Sequence, residues 1–261
     1  MQIKEVVATL ERFAPLPLQE DYDNAGLQIG VTETEVSGVL LCLDVTEDVL
    51  REAVRQGCNT VIAHHPLLFR AVKSVTDATY VGRCIRLAVR HDLTVYAAHT
   101  NLDNAPGGVN FEMARRLGLE EVRFLQPFRR PGGLEGGSGV IGRLPRPVEA
   151  GAFLRQVKQA FRVAALSHNA LLGRPVERVA LCGGAGAFLA DEALAAGADA
   201  FLTGEMSYHH YFGYDGRMQL AVAGHYETEK FTVDLMHRLL AEAHPGLRIA
   251  EWRDTNPVHY L

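Results

Sequence analysis

Apolar and polar positions repeat one rhythm in two places along the chain. Residues 39–65, VLLCLDVTEDVLREAVRQGCNTVIAHH, and residues 179–205, VALCGGAGAFLADEALAAGADAFLTGE, superpose without a gap, with Cys42 falling on Cys182. In each, a short apolar run leads into a helical stretch closed by Gly57 or Gly197, and a second apolar run follows, Val61 to Ala63 or Ala200 to Leu202. That order is strand, helix, strand, the unit whose crossover builds a parallel sheet. In the first copy Thr46 has the hydroxyl of a helix N-cap, Glu47 and Asp48 suit the positive end of the helix, and Gly57 suits the left-handed residue that closes it. The pattern predicts an α/β protein with two related α/β halves, each built on a βαβ unit in a mainly parallel sheet.

The flanking segments extend this picture. Ile3, Val6, Val7, Leu10 and Phe13 recur at helical spacing. The stretch from Arg130 to Gly139 is too rich in glycine for a helix or a central strand and reads as a linker, residues 129–139. Leu220 to Ala223 reads as a strand and Thr228 to Ala243 as a helix. The expected division is a first half at 1–128, a second at 140–219, and a C-terminal segment at 220–261 that packs back on the first half and completes it.

The 261 residues are 48% apolar, enough to bury a core without a disulfide scaffold. Cys42, Cys58, Cys84 and Cys182 are scattered, with no Cys-x-x-Cys pair, and read as buried thiols of a reducing compartment. The N-terminus lacks the basic start and continuous apolar core of a secretory signal, and no stretch has the apolar length of a membrane span, so a cytoplasmic protein without a membrane partner is expected. A formal charge of −5 argues against sequence-independent nucleic-acid binding. The one basic cluster, Arg123, Arg129 and Arg130, reads as a solvated loop.

Ligands of open parallel sheets bind beyond the carboxyl ends of the strands, so polar residues directly after apolar runs are candidates. Val61-Ile-Ala is followed by His64 and His65, Val95-Tyr-Ala-Ala by His99 and then Asp103, and Leu220-Ala-Val-Ala-Gly by His225, with Glu229 one helical turn further on. This mixture of nitrogen and oxygen donors without thiolate suits zinc, manganese, iron or magnesium. His64, His65, Asp103, His225 and Glu229 exceed the needs of one tetrahedral zinc and suit two ions if Glu229 bridges them. Taken singly, each piece has a plainer explanation: His209-His210 is a second doublet, of the kind usual on surfaces, and His225 with Glu229 is an ordinary helical pair. Gly183-Gly184-Ala185-Gly186 fits either a tight turn, the simpler reading, or a phosphate cradle of backbone N–H groups.

The stretches Asp23-Asn-Ala-Gly-Leu-Gln-Ile-Gly30, Ile62-Ala-His-His-Pro-Leu-Leu-Phe69, Ala98-His-Thr-Asn-Leu-Asp-Asn104, Thr203-Gly-Glu205 and Gly224-His-Tyr-Glu-Thr-Glu229 occur in this order across nearly the whole chain. Together they resemble the GTP cyclohydrolase I type 2 homologs, also called NGG-one-interacting factor three-like proteins. The resemblance implies an α/β subunit, a homohexameric ring, and a di-metal site at His64, His65, Asp103, His225 and Glu229. It also implies a metal-dependent hydrolase acting on a nucleotide by opening the imidazole ring of guanine. A phosphoester or amide hydrolase would use the same machinery, and a non-catalytic metal-binding protein acting through protein partners is the competing class. His99 and Glu205 fall where the matching motifs bring them near the metals, to orient a ligand or move a proton. Tyr22 stands where the family usually has Trp, and the glycine-rich stretch stands where longer relatives carry an inserted domain.

Overall fold

A computed structural model describes residues 1–253 and 256–259. Its first helix, α1 (Ile3–Phe13), buries Ile3, Val6, Val7 and Leu10, and the Glu5 carboxylate accepts the Gln2 N–H at 2.6 Å across its start. Strands β1 (Gly26–Ile29) and β2 (Val39–Cys42) follow. Helix α2 (Glu47–Arg55) starts where the Thr46 hydroxyl accepts the Val49 N–H at 3.3 Å, and Gly57 beyond it is left-handed. Next come β3 (Thr60–Ala63), α3 (Tyr80–Arg90) capped by Thr79, β4 (Thr94–Ala97) and the single turn α4 (Thr100–Asp103). Strands β2, β3 and β4 are buried at every position, as a central parallel strand covered on both faces requires.

The chain continues through α5 (Val109–Leu117), β5 (Glu120–Arg130), β6 (Leu134–Val148), α6 (Ala150–Phe161), β7 (Val176–Cys182), α7 (Ala190–Ala195), β8 (Ala200–Thr203), β9 (Gln219–Val222), α8 (His225–Glu229), α9 (Thr232–Ala243) and β10 (Ile249–Glu251). Two five-stranded sheets result, ordered β1-β4-β3-β2-β10 and β5-β6-β7-β8-β9. In the first, all pairings but β1 with β4 are parallel; in the second, β7, β8 and β9 are parallel and β5, β6 and β7 antiparallel. The two copies of the repeated unit pair identically, Cys42 opposite Ala63 and Cys182 opposite Thr203.

The chain divides into two compact units, Met1–Leu102 with Thr232–Thr255, and Asp103–Phe231 with Asn256–Leu261. The first has its own core of Leu40, Val49, Leu50, Val61 and Val95. The second has one around Val140, Phe153, Val157, Leu181 and Leu202 and another around Ile141, Phe201 and Leu220.

The glycine-rich stretch is not a linker. Most of it lies in β6, paired with β5 on one side and β7 on the other, and Arg123, Arg129 and Arg130 lie on β5 rather than in a loop. A Cβ on Gly137 would fall 2.5 Å from Cγ of Phe124, so glycine is required there because an aromatic ring lies across the strand. The C-terminal segment is also divided: β9 extends the second sheet beside β8, and α9 and β10 join the first unit. The expected helix from Thr228 is interrupted at Lys230 and Phe231, between α8 and α9.

Candidate metal centre

In the first unit, the residues that follow the parallel strands converge. His64 and His65 come directly after β3, and His99 two residues after β4. One ring nitrogen from each of the three lies within 4.8 Å of the others, and the ring centroids are 4.9 to 5.5 Å apart. His64 is fully buried and donates Nδ1–H to the Ala98 carbonyl at 2.7 Å. His65 donates Nδ1–H to Asp44 Oδ1 at 2.8 Å, and His99 donates Nδ1–H to Asp23 Oδ1 at 2.7 Å. A neutral imidazole has one N–H and one lone pair, so an oxygen acceptor at Nδ1 leaves the lone pair on Nε2. All three rings are thus held as metal-ligating histidines are held, by an outer acceptor that fixes both tautomer and orientation. The group has the chemistry to hold a divalent ion.

Asp23 is the most constrained of these acceptors, its side chain withdrawn from solvent. Oδ1 takes the Asn24 N–H at 2.7 Å as well as the His99 ring, and Oδ2 takes the Thr100 N–H at 3.1 Å and the Thr100 hydroxyl. Burial pushes this carboxyl up, but the His99 hydrogen bond and charge, the Thr100 hydroxyl and the Asn24 N–H outweigh burial and hold the pKa at about 2. It is therefore a fixed anion at neutral pH.

In the second unit, His225 opens α8 and Glu229 lies one turn on, which brings His225 Nε2 to 2.9 Å from Glu229 Oε2. His225 Nδ1 lies 2.9 Å from Glu205 Oε1, so this imidazole too has a carboxylate at Nδ1. Glu229 is buried, whereas Glu205 is exposed. The turn after β7 is built around Glu229: a Cβ on Gly184, which has φ +56°, would fall 2.2 Å from Glu229 Oε1 and 3.2 Å from His225 Nε2. The Gly183 N–H donates to Asn110 Oδ1 at 3.0 Å and the Gly184 N–H to Thr228 Oγ1 at 3.1 Å. Those two N–H groups are committed to the protein, and the turn makes room for a carboxylate, which favours the tight-turn reading. Asp103 ends α4, and its carbonyl accepts from Asn110 Nδ2 at 3.2 Å.

Of the residues expected from sequence, the first unit brings together His64, His65 and His99, and the second brings together His225, Glu229 and Glu205. His99 belongs to the histidine group itself. Asp44 and Asn110 were not foreseen. Asp44 was within reach of the same rule that found the histidines, since it follows the apolar run of β2 by two residues.

No helix among the described residues is long and apolar enough to cross a membrane. The family described as Duf34/NIF3 (NGG1p interacting factor 3) matches residues 1–257. The chain is 33% identical over 245 residues to a Clostridium acetobutylicum protein called GTP cyclohydrolase 1 type 2 homolog, covering 93% of this chain and 91% of that one. It is 31% identical to the Lactococcus lactis protein of the same name, with 99% of each chain covered. Among solved structures it resembles the Bacillus cereus protein related to NIF3, with a TM-score of 0.89, 25% identity, and 100% of this chain and 99% of that one covered. Motifs, fold and relatives agree over nearly the full length, and the chain belongs to the Duf34/NIF3 family.

Proposed function

We propose that His64, His65, Asp103, His225 and Glu229 hold two divalent ions, and that the protein is a metal-dependent hydrolase. The observation that carries this reading is the shared posture of the imidazoles: His64, His65 and His225 each have Nδ1 engaged by an oxygen acceptor, the arrangement in which a metal-ligating histidine is held. The donor set of imidazole nitrogen and carboxylate oxygen suits zinc, manganese, iron or magnesium. Ions held there would supply Lewis acidity and lower the pKa of water at the site. Glu229, with two oxygens and a negative charge, is the residue suited to bridge the pair. His99, oriented by the buried Asp23, is placed to take or deliver a proton, and Glu205 orients His225. The names of the relatives favour a nucleotide substrate; opening of its purine imidazole ring and a homohexameric assembly follow from the motif resemblance, and a cytoplasmic location from the sequence.

The test is reconstitution with zinc, manganese or iron, followed by elemental analysis and a turnover screen over nucleotides and phosphoesters. Close to two ions per chain and metal-dependent turnover are expected. Trace metal in every case refutes the centre. Two ions with no turnover on any substrate leaves the centre standing and removes the hydrolase. Glu229→Gln keeps shape but loses charge, so at least one ion and all metal-dependent turnover should be lost, whereas His225→Ala should retain one ion. Wild-type calorimetric affinity for both ions in Glu229→Gln refutes the bridge.

A further inference from the structure

The first unit leaves two large aromatic rings in water beside its histidine group. Tyr22 is 65% exposed and Phe69 43%. They meet edge to face with centroids 6.3 Å apart, and Phe69 in turn meets His99 at 6.0 Å and 88°. Exposed single hydrophobes are common, but this pair is mounted. Asn24 Nδ2 donates to the Leu68 carbonyl at 2.9 Å, and the Leu68 N–H donates to Gln28 Oε1 at 3.1 Å, so both backbone groups of the residue before Phe69 are held by side chains from the segment that carries Tyr22. Asp23, between Tyr22 and Asn24, is locked to His99 and Thr100. One short stretch thus positions the two rings and the imidazole together. Residues 66–79 form no helix or strand, and Arg70 and Lys73, exposed on this loop, have no ion-pair partner among the described residues. A held, exposed aromatic corner offers stacking on one ring and an edge contact from the other, and unpaired cations next to it in sequence offer charge to an anion.

We propose that Tyr22 and Phe69 form the aromatic corner of a subsite for a planar heteroaromatic ring, which stacks on one of them and meets the other edge to face, and that Arg70 and Lys73 receive a phosphate carried by the same ligand. The subsite rests on the metal-centre reading for its purpose, because it would present the ring toward His99. It requires no metal for the stacking itself.

The test uses the full chain, with and without bound zinc, and titrates guanosine 5′-monophosphate, guanosine and ribose 5-phosphate by calorimetry. Leucine keeps apolar bulk but has no π face, so Tyr22→Leu/Phe69→Leu should weaken the nucleotide about fivefold or more while leaving ribose 5-phosphate unchanged. Arg70→Gln/Lys73→Gln should weaken the nucleotide and ribose 5-phosphate and leave guanosine unchanged. All four positions are exposed, and circular dichroism checks that the variants fold. Wild-type nucleotide affinity in the leucine variant overturns the proposal, as does a nucleotide that binds no better than ribose 5-phosphate. A change of oligomeric state in the leucine variant with no change in ligand binding also overturns it, making the rings a contact between copies. Leucine-sensitive ring binding in a protein that takes up no metal would sustain the subsite and sink the metal centre; two bound ions with no ring binding would do the reverse.

Discussion

The Asp23 carboxylate supports the sharpest quantitative prediction. Its folded pKa lies at about 2 against 3.8 for the free side chain. Because the folded value is the lower one, the ionised carboxylate stabilises the native state fully above about pH 5, and the contribution is lost as the pH falls toward about 2. At ~1.36 kcal/mol per tenfold change in proton affinity, the group is worth about 2.5 kcal/mol at pH 7, nearly the same at pH 5, and about 1.3 kcal/mol at pH 3. Asp23→Asn removes the charge and turns an NH2 toward two donors: either the Thr100 N–H and hydroxyl, or the His99 ring and the Asn24 N–H. A buried donor facing donors costs a further ~1–3 kcal/mol. The variant should therefore be less stable than wild type by at least ~2.5 kcal/mol at pH 7, with the gap narrowing by about 1 kcal/mol between pH 5 and pH 3. Urea denaturation with a chelator present, at pH 7, 5 and 3, measures it. Equal stability at pH 7, or a gap independent of pH, would show that the network does not hold the carboxylate as its geometry implies.

Other expectations follow from single contacts. Gly184→Ala places a Cβ against Glu229 Oε1 at a left-handed position and should destabilise the protein by at least ~1 kcal/mol while lowering metal uptake; an unchanged melting temperature would refute it. Thr46→Ala deletes the cap of α2 and should cost about 1 kcal/mol in urea without altering metal content, whereas Thr46→Ser should restore most of it. Asp44→Asn and Glu205→Gln weaken the acceptors behind His65 and His225, and each should lower metal affinity about 10-fold to 100-fold while leaving the number of sites unchanged. Calorimetry that finds wild-type affinity in both would remove their orienting role.

The features legible in the sequence are those that depend on neighbours along the chain. The repeated unit, its parallel register, the Thr46 cap and the left-handed Gly57 follow from local pattern and appear as expected. The strand-end rule brought out the histidines for the same reason. What it could not resolve depends on contacts across the fold. Glycine in β6 looks like a strand breaker until Phe124 is seen across the sheet from Gly137. Gly183 and Gly184 fit a phosphate turn until Asn110 and Thr228 are found on their N–H groups and Glu229 in the space a side chain would fill.

The duplicated βαβ unit shows how one backbone plan came to serve two chemical roles. At matched positions after the second strand, the first copy has His64 and His65 and the second has Gly204 and Glu205. After the first strand, the first copy has Leu43 and Asp44 and the second has Gly183 and Gly184. In the first unit the strand ends themselves present imidazoles, and the carboxylate from the neighbouring strand end, Asp44, engages His65 at Nδ1. In the second, the strand ends retreat. A Cβ on Gly204 would fall 2.9 Å from the His225 Cα, and one on Gly184 would meet Glu229, so the two glycines admit α8 close to the sheet, and the helix supplies the imidazole and the carboxylate instead. Glu205, at the place of His65, has become the acceptor behind His225 Nδ1. Both units thus end with an imidazole whose Nδ1 is held by a carboxylate, reached from a strand end in one and from a helix in the other. A carboxylate-held imidazole, not residue position, is what the two copies share.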